Sequence, residues 1–291
     1  MKKFRIIKSR DKGVFSNFLQ VLQCLYISEL DGRIPIVDWD IIWHAQKEPH
    51  NGSTNVWEYY FEPVSSYSID DVNPDKDSVK IANKYRKKGK NIRGWDRSCW
   101  TYKVKPPKRC LNNPSRACRE AINRIIVKYI RIKKPILNKI DEFYVKNLEG
   151  FDLLGVHIRA ATGWGHQRNL LFDDYVKPMK KYLLQHDNSR IFLATDYAPC
   201  LKYMRDIFGD KLVNYDCHIS ENGYLTVTGS SSILEKKTGG ALIGEEAIID
   251  AMLLSKCHKL VHGMSNVSAS VMYLNKDIEN EYIPVRKQRE C

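Results

Sequence analysis

Leu153-Leu154-Gly155-Val156-His157-Ile158-Arg159-Ala160-Ala161-Thr162-Gly163-Trp164-Gly165-His166 is the stretch whose reading decides the fold. Leu153 to Ile158 has the length and apolar continuity of a strand buried on both faces, and the chain then runs into a glycine-containing loop. In an open α/β sheet, ligands gather just beyond the carboxyl ends of the strands. His157 and Arg159 stand at such an end, so a cationic side chain is placed where an anion would sit.

Downstream, strands and helices alternate. Asp173 to Gln185 reads as a helix, Ile191 to Thr195 as a strand ending in Asp196, and Pro199 to Phe208 as a helix. Lys211 to Val213 is a short strand, Gly244 to Ser255 a helix, and Lys259 to His262 a strand, after which Ser265 caps a helix through Tyr273. This rhythm predicts a doubly wound, Rossmann-like domain over residues 151–291.

Upstream, Phe4 to Ile7 is a strand, and Phe15 to Leu30 carries Phe18, Val21, Leu22 and Leu25 at helical spacing. Gly32 ends that helix and Ile34 to Val37 forms the next strand, which completes a β-α-β unit. The loop from Asp11 to Asn17 contains Gly13 but lacks the G-x-G-x-x-G spacing of a dinucleotide site. Asp38-Trp39-Asp40 spells D-x-D, a weak signal for a cation held between two carboxylates, and it comes before a complete nucleotide-binding half has been built. The aromatic run from Val56 to Phe61 is expected to pack a core edge. From Asp70 to Arg109 the chain turns polar and irregular, with basic runs at Lys84 to Lys90 and Lys103 to Arg109 that read as a solvated face, since no nucleic-acid-binding pattern accompanies them. Ser115 to Lys134 is expected to be one long amphipathic helix stopped by Pro135, with a second helix from Ile136 to about Asn147. Residues 1–150 thus form a first α/β domain, with Glu149-Gly150 at its end.

With 291 residues, 43% of them hydrophobic, the chain builds a real core. A net charge of +13 and a pI near 9.2 point to anionic partners. Met1-Lys2-Lys3 and the short run Phe4 to Ile7 are too short and too charged for a signal peptide or a membrane span, so a cytoplasmic protein without membrane insertion is expected. Cys24, Cys99, Cys110, Cys118, Cys200, Cys217, Cys257 and Cys291 include no C-x-x-C pair and are read as free thiols, with no zinc site.

Three strand ends in the second half carry polar groups: Arg159, Asp196 and the run Gly263 to Ser268. Hydroxyls and free N–H groups at a helix N-terminus form an anion site, assisted by the helix dipole, and a plain cap by Ser265 does not require Asn266 and Ser268 beside it. With the forked charge of Arg159, a diphosphate would be held by charge-assisted bonds of roughly 1.5–3 kcal/mol each. Asp196 and Asp250 are then available to ribose hydroxyls or a base edge.

These residues resemble the inverting, GT-B-like fucosyltransferases, which include the nodulation enzymes, the α1,6-fucosyltransferases of N-glycan cores and the protein O-fucosyltransferases. Gly13-Val14-Phe15-Ser16-Asn17 with Gly32 to Asp38 is similar to the family's N-terminal loop, helix and strand. Gly155 to Arg159 is similar to its H-x-R motif, Phe192 to Asp196 to its second motif, and Asp250 to Ser268 to its third. The resemblance implies two Rossmann-like domains facing a cleft, the first meeting a glycan acceptor and the second a nucleotide-sugar, GDP-fucose above others. It implies a β-phosphate on Arg159, the nucleotide near His157, the base or ribose on Asp250, the phosphates on Ser265, Asn266 and Ser268, a donor-side role for Gly13 and Asn17, and no metal or other cofactor.

The chain also departs from the family. Ala160-Ala161-Thr162-Gly163 follows Arg159, where relatives continue to an acid. Inversion by single displacement needs a base on the acceptor hydroxyl. His166 is the candidate here, with Asp173 and Asp174 behind it. Another nucleotide-sugar such as a UDP-sugar, or a binding module without catalysis, also fits this departure.

Overall fold

The computed structural model describes residues 1–10, 12–40, 48–82, 113–160, 171–221 and 239–284. Two sheets organise them. The first has the order β2-β1-β3, built from β1 (Lys3–Lys8), β2 (Ile34–Asp38) and β3 (Ser78–Ala82). The second has the order β6-β5-β4-β7-β8, built from β4 (Asp152–Ile158), β5 (Ser189–Thr195), β6 (Leu212–Val213), β7 (Lys259–His262) and β8 (Glu279–Tyr282). All pairings between these strands are parallel. From β4 the chain moves outward to β5 and β6, then returns to the other side of β4 for β7 and β8. The reversal therefore falls between β4 and β7, and a doubly wound sheet opens its ligand crevice at the carboxyl ends of such a pair.

Seven α-helices pack on these sheets among the described residues: α1 (Val14–Leu30), α2 (Arg116–Tyr129), α3 (Lys134–Asn147), α4 (Asp173–Gln185), α5 (Ala198–Phe208), α6 (Gly240–Ser255) and α7 (Asn266–Leu274). The two-residue alternation of β4 assigns its faces. Leu154, Val156 and Ile158 enter a core with Tyr175 and Met179 of α4 and Cys200 and Met204 of α5. Leu153 faces the opposite way, into a larger core with α6 and α7. Gly155 shares that second face, and a Cβ there would lie 3.1 Å from both Cys257 Sγ and Leu254 Cδ2. Its missing side chain is what lets the end of α6 approach the sheet. His157 is next along the same face, which brings it under α7.

The larger core does not stop at the boundary near residue 150. It joins Ile7 and Val37 of the first sheet to α1, α2, α3, α6 and α7 and to Leu153, Phe192 and Leu260 of the second sheet. Trp57, Tyr59, Tyr60 and Phe61 are all buried within it, as packing residues.

Three features differ from the sequence reading. The helix expected from Ser115 to Lys134 ends at Tyr129, because the chain turns to lay Ile132 against Phe61 in a bridge and to donate the Lys133 N–H to the Tyr60 carbonyl. Pro135 sits in the first turn of α3, where its missing N–H leaves no bond unmade. Strands β3 and β8 were not anticipated; both are sheet edges, and the sequence Glu279-Asn280-Glu281-Tyr282 lacks the apolar run of an interior strand. The basic runs Lys84 to Lys90 and Lys103 to Arg109 lie outside the described residues, as do Cys99, Cys110 and Cys291. The remaining five cysteines are free thiols. Among the described residues no helix is long and apolar enough to cross a membrane.

Candidate functional site

The crevice between β4 and β7 gathers most of the predicted residues. His157 pairs with His262 across the two strands, and the chain leaves them as Arg159 on one side and Gly263 on the other. His157 is buried, and its Nδ1 lies 2.9 Å from the Ser268 hydroxyl of α7. Burial, with the neighbouring Arg159 and His262 charges adding to it, pushes the His157 imidazole down to about 3, so it is neutral at working pH. Ser268 is itself 0% exposed, and its hydroxyl also lies 3.3 Å from the Gly263 carbonyl. It anchors His157 and the β7–α7 turn.

Arg159 is half-buried, and among the described residues its guanidinium has no carboxylate partner and no hydrogen bond. Opposite it, α7 begins. Ser265 accepts the Val267 N–H at 3.1 Å as a side-chain cap, and Asn266 opens the first turn, whose leading N–H groups have no intrahelical acceptor. Gly263 allows this turn to form beneath α4, since a Cβ there would lie 2.7 Å from the Tyr175 hydroxyl. A guanidinium with no carboxylate partner among the described residues, next to a helix N-terminus, has the chemistry that suits an anion.

Asp196 closes the crevice from the β5 side. Its Oδ1 accepts the Ala160 N–H at 2.9 Å, so it shapes the loop that carries Arg159. His166 lies outside the described residues. Asp173 and Asp174 open α4, where Asp173 accepts the Tyr203 hydroxyl.

Helix α6 supplies what sequence reading did not resolve. Its sequence GALIGEEAIIDAMLLS is apolar nearly all round, so it is buried, and each of its acids must find a partner or lose its charge. Glu245 is ion-paired to Lys139 Nζ at 2.5 Å and lies 3.1 Å from His50 Nε2, which ties α6 to α3 and to the first half of the chain. Glu246 accepts the His218 N–H at 3.0 Å and lies 2.7 Å from His218 Nδ1. Asp250, one turn further on, makes no hydrogen bond among the described residues, and its Oδ1 is shielded from solvent. Burial, with the Glu246 carboxylate adding to it, holds the Asp250 carboxyl well above its ordinary range. Two adjacent glutamates in an apolar helix were the sequence signal for buried acids; their histidine partners lie far away in the chain and no local motif links them.

The first-half candidates serve their own loop. Asn17 is 0% exposed; its Oδ1 accepts the Arg10 N–H at 2.8 Å while its Nδ2 donates to the carbonyls of Arg10 and Lys12 at 3.1 and 3.0 Å. The amide thus holds the loop around Gly13. Gly13 has φ −65° and needs no glycine freedom. Asp38 and Asp40 close on Lys8 Nζ at 2.6 and 3.1 Å, so an ammonium already stands between the carboxylates of the D-x-D pattern.

No protein-family model matches the chain, and no curated protein matches its sequence. Solved structures do match its shape. The α-1,6-fucosyltransferase NodZ of Bradyrhizobium, in a crystal soaked with GDP-fucose, is 18% identical over 97% of this chain and 95% of its own, with a TM-score of 0.57. FUT1 of Arabidopsis thaliana, in complex with GDP, is 11% identical over 99% of this chain and 71% of its own, with a TM-score of 0.53. POFUT1 in complex with GDP-fucose is 10% identical over 97% of this chain and 98% of its own, with a TM-score of 0.51. At these identities the likeness is one of architecture, and the chain is a GT-B-like α/β protein that shares its fold with the fucosyltransferases NodZ, FUT1 and POFUT1.

Proposed function

We propose that the protein is an inverting glycosyltransferase that moves L-fucose from GDP-fucose to a hydroxyl of an oligosaccharide or glycoconjugate, with no metal or other cofactor. The observation that carries this reading is Arg159, a cation without a carboxylate partner among the described residues, set at the carboxyl end of β4 beside the N-terminus of α7. A diphosphate meets both requirements of that geometry, a forked donor and outward N–H groups. In this reading Arg159 holds the β-phosphate and stabilises it as it leaves, while Ser265 and Asn266 bind phosphate oxygens through the first turn of α7. Neutral His157, fixed by Ser268, lies against the nucleotide. Asp250 takes the donors of the base or ribose, and a ligand offering two N–H groups would draw it into its ionised form. Asp196 and Asn17 support their loops. The fold shared with NodZ and POFUT1, both solved with GDP-fucose, supports the choice of donor.

Calorimetry and thermal melts with GDP, UDP and their sugars, with and without a chelator, test this reading. GDP at a hundred times its Kd adds about 2.7 kcal/mol to stability and raises the melting temperature, with UDP weaker and the chelator without effect. Failure of every nucleoside diphosphate to raise it would overturn the proposal.

A further inference from the structure

Transfer with inversion needs a base for the acceptor proton, and the sequence from Ala160 to Phe172 after Arg159 contains no acid. Resting on the function proposed above, we infer that His218, oriented by the buried carboxylate of Glu246, is that base. Glu246 lies 2.7 Å from Nδ1 and takes the His218 backbone N–H on its other oxygen at 3.0 Å, so the ring is held at two points. The Glu246 side chain is only 9% exposed, whereas that of His218 is 43% exposed. A carboxylate on Nδ1 selects the tautomer with its proton there and leaves the Nε2 lone pair outward. Among the described residues Nε2 has no hydrogen-bond partner.

The position also fits. His218 lies on the segment that follows β6, and two residues on, the Ser220 N–H donates to the Asp196 carbonyl at 3.1 Å. Asp196 in turn holds the Ala160 N–H beside Arg159. On its other flank, Glu245, next to Glu246, is bonded to His50 of the first half, the side expected to meet the acceptor. The segment of His218 is thus tied on one side to the strand end that carries Asp196 and on the other, through Glu246, to the helix that meets the first half. His50 is the weaker alternative: its carboxylate is shared with Lys139, and its ring packs on Tyr59 with centroids 5.4 Å apart.

In the step itself, Nε2 removes the proton of the acceptor hydroxyl as that oxygen bonds to the anomeric carbon. The bond from that carbon to the β-phosphate oxygen breaks, its electron pair leaves on GDP against Arg159, and the proton stays on Nε2 while Glu246 keeps its hold on Nδ1. Water in place of the acceptor yields free fucose and GDP by the same route.

The test measures GDP release from GDP-fucose in water, together with the calorimetric Kd for GDP, for the wild-type chain and for His218→Gln, His218→Ala and Glu246→Gln. His218→Gln should lower release by about 10²- to 10⁴-fold with its GDP affinity kept. Added imidazole should restore part of the rate to His218→Ala, which a purely structural histidine would not allow. Glu246→Gln should lower the rate without weakening GDP binding, since loss of its charge only eases ionisation of Asp250, and that split marks a positioning residue. Near-wild-type release from His218→Gln, or loss of GDP binding in it, would overturn the role assigned to His218, as would a wild-type chain that binds GDP yet releases none from GDP-fucose. A wild-type chain that binds no GDP would refute the transferase reading itself.

Discussion

Arg159 carries a charge that no carboxylate among the described residues neutralises, so its removal costs the fold little and the ligand much. Arg159→Ala should weaken GDP binding by roughly 1.5–3 kcal/mol, about 10- to 150-fold, at an unchanged melting temperature, as read by calorimetry and circular dichroism. His157 behaves in the opposite sense. Its imidazole is pushed down to about 3 in the folded chain from 6.5, so between those values the unfolded chain binds a proton that the folded chain refuses. Stability attributable to His157 is complete above about pH 6.5 and falls as the pH drops, by up to about 1.4 kcal/mol per pH unit. Urea midpoints at pH 7, 6 and 5 should fall less steeply in His157→Gln; an equal slope would refute the assignment. At this scale the sequence was legible where a residue's role is set by its strand end, as for Arg159. It was not where the role depends on what the side chain touches: Asn17 and Ser268 look like ligand-facing polar groups in the sequence and are spent on loop backbone and His157.

Among the elements, β4 and α6 are fitted to each other through Gly155. A methyl there meets Leu254 Cδ2 and Cys257 Sγ at 3.1 Å and Cys257 Cβ at 3.2 Å, closer than packed side chains accept. Gly155→Ala should cost about 1–3 kcal/mol in urea denaturation, and pairing it with Cys257→Ala should show a favourable coupling as the thiol clears. Gly155 sits within the buried run from Leu153 to Ile158, but its neighbour is a cysteine 102 positions away, so no local pattern reveals the contact. Helix boundaries show the same division. The cap by Ser265 was readable because it satisfies its own helix, whereas the end of α2 at Tyr129 is imposed by the bridge of Ile132 to Phe61.

On the scale of the whole molecule, one hydrophobic core runs from Ile7 of the first sheet through α1, α2, α6 and α7 to Leu260 of the second. Glu245, bonded to His50 and Lys139, and the Tyr60 hydroxyl, donating to the Ala241 carbonyl at 3.0 Å, bind α6 to the first half as well. The two halves should therefore melt together: calorimetry, tryptophan fluorescence and far-ultraviolet circular dichroism should trace a single coincident transition, and two resolved transitions would show the halves to be independent. By itself the sequence determined the parallel α/β rhythm, the cation at the end of β4 and the capped helix facing it. Those are local properties, written in spacings of two and 3.6 residues and in the chemistry of a strand end. Only the tertiary structure decided which acids of α6 find hydrogen-bond partners and that Asp250 finds none among the described residues, that His218 stands on Glu246, and that the two sheets share a core. A buried charge takes its partner from whatever segment the folded core brings beside it, and neither period records that choice.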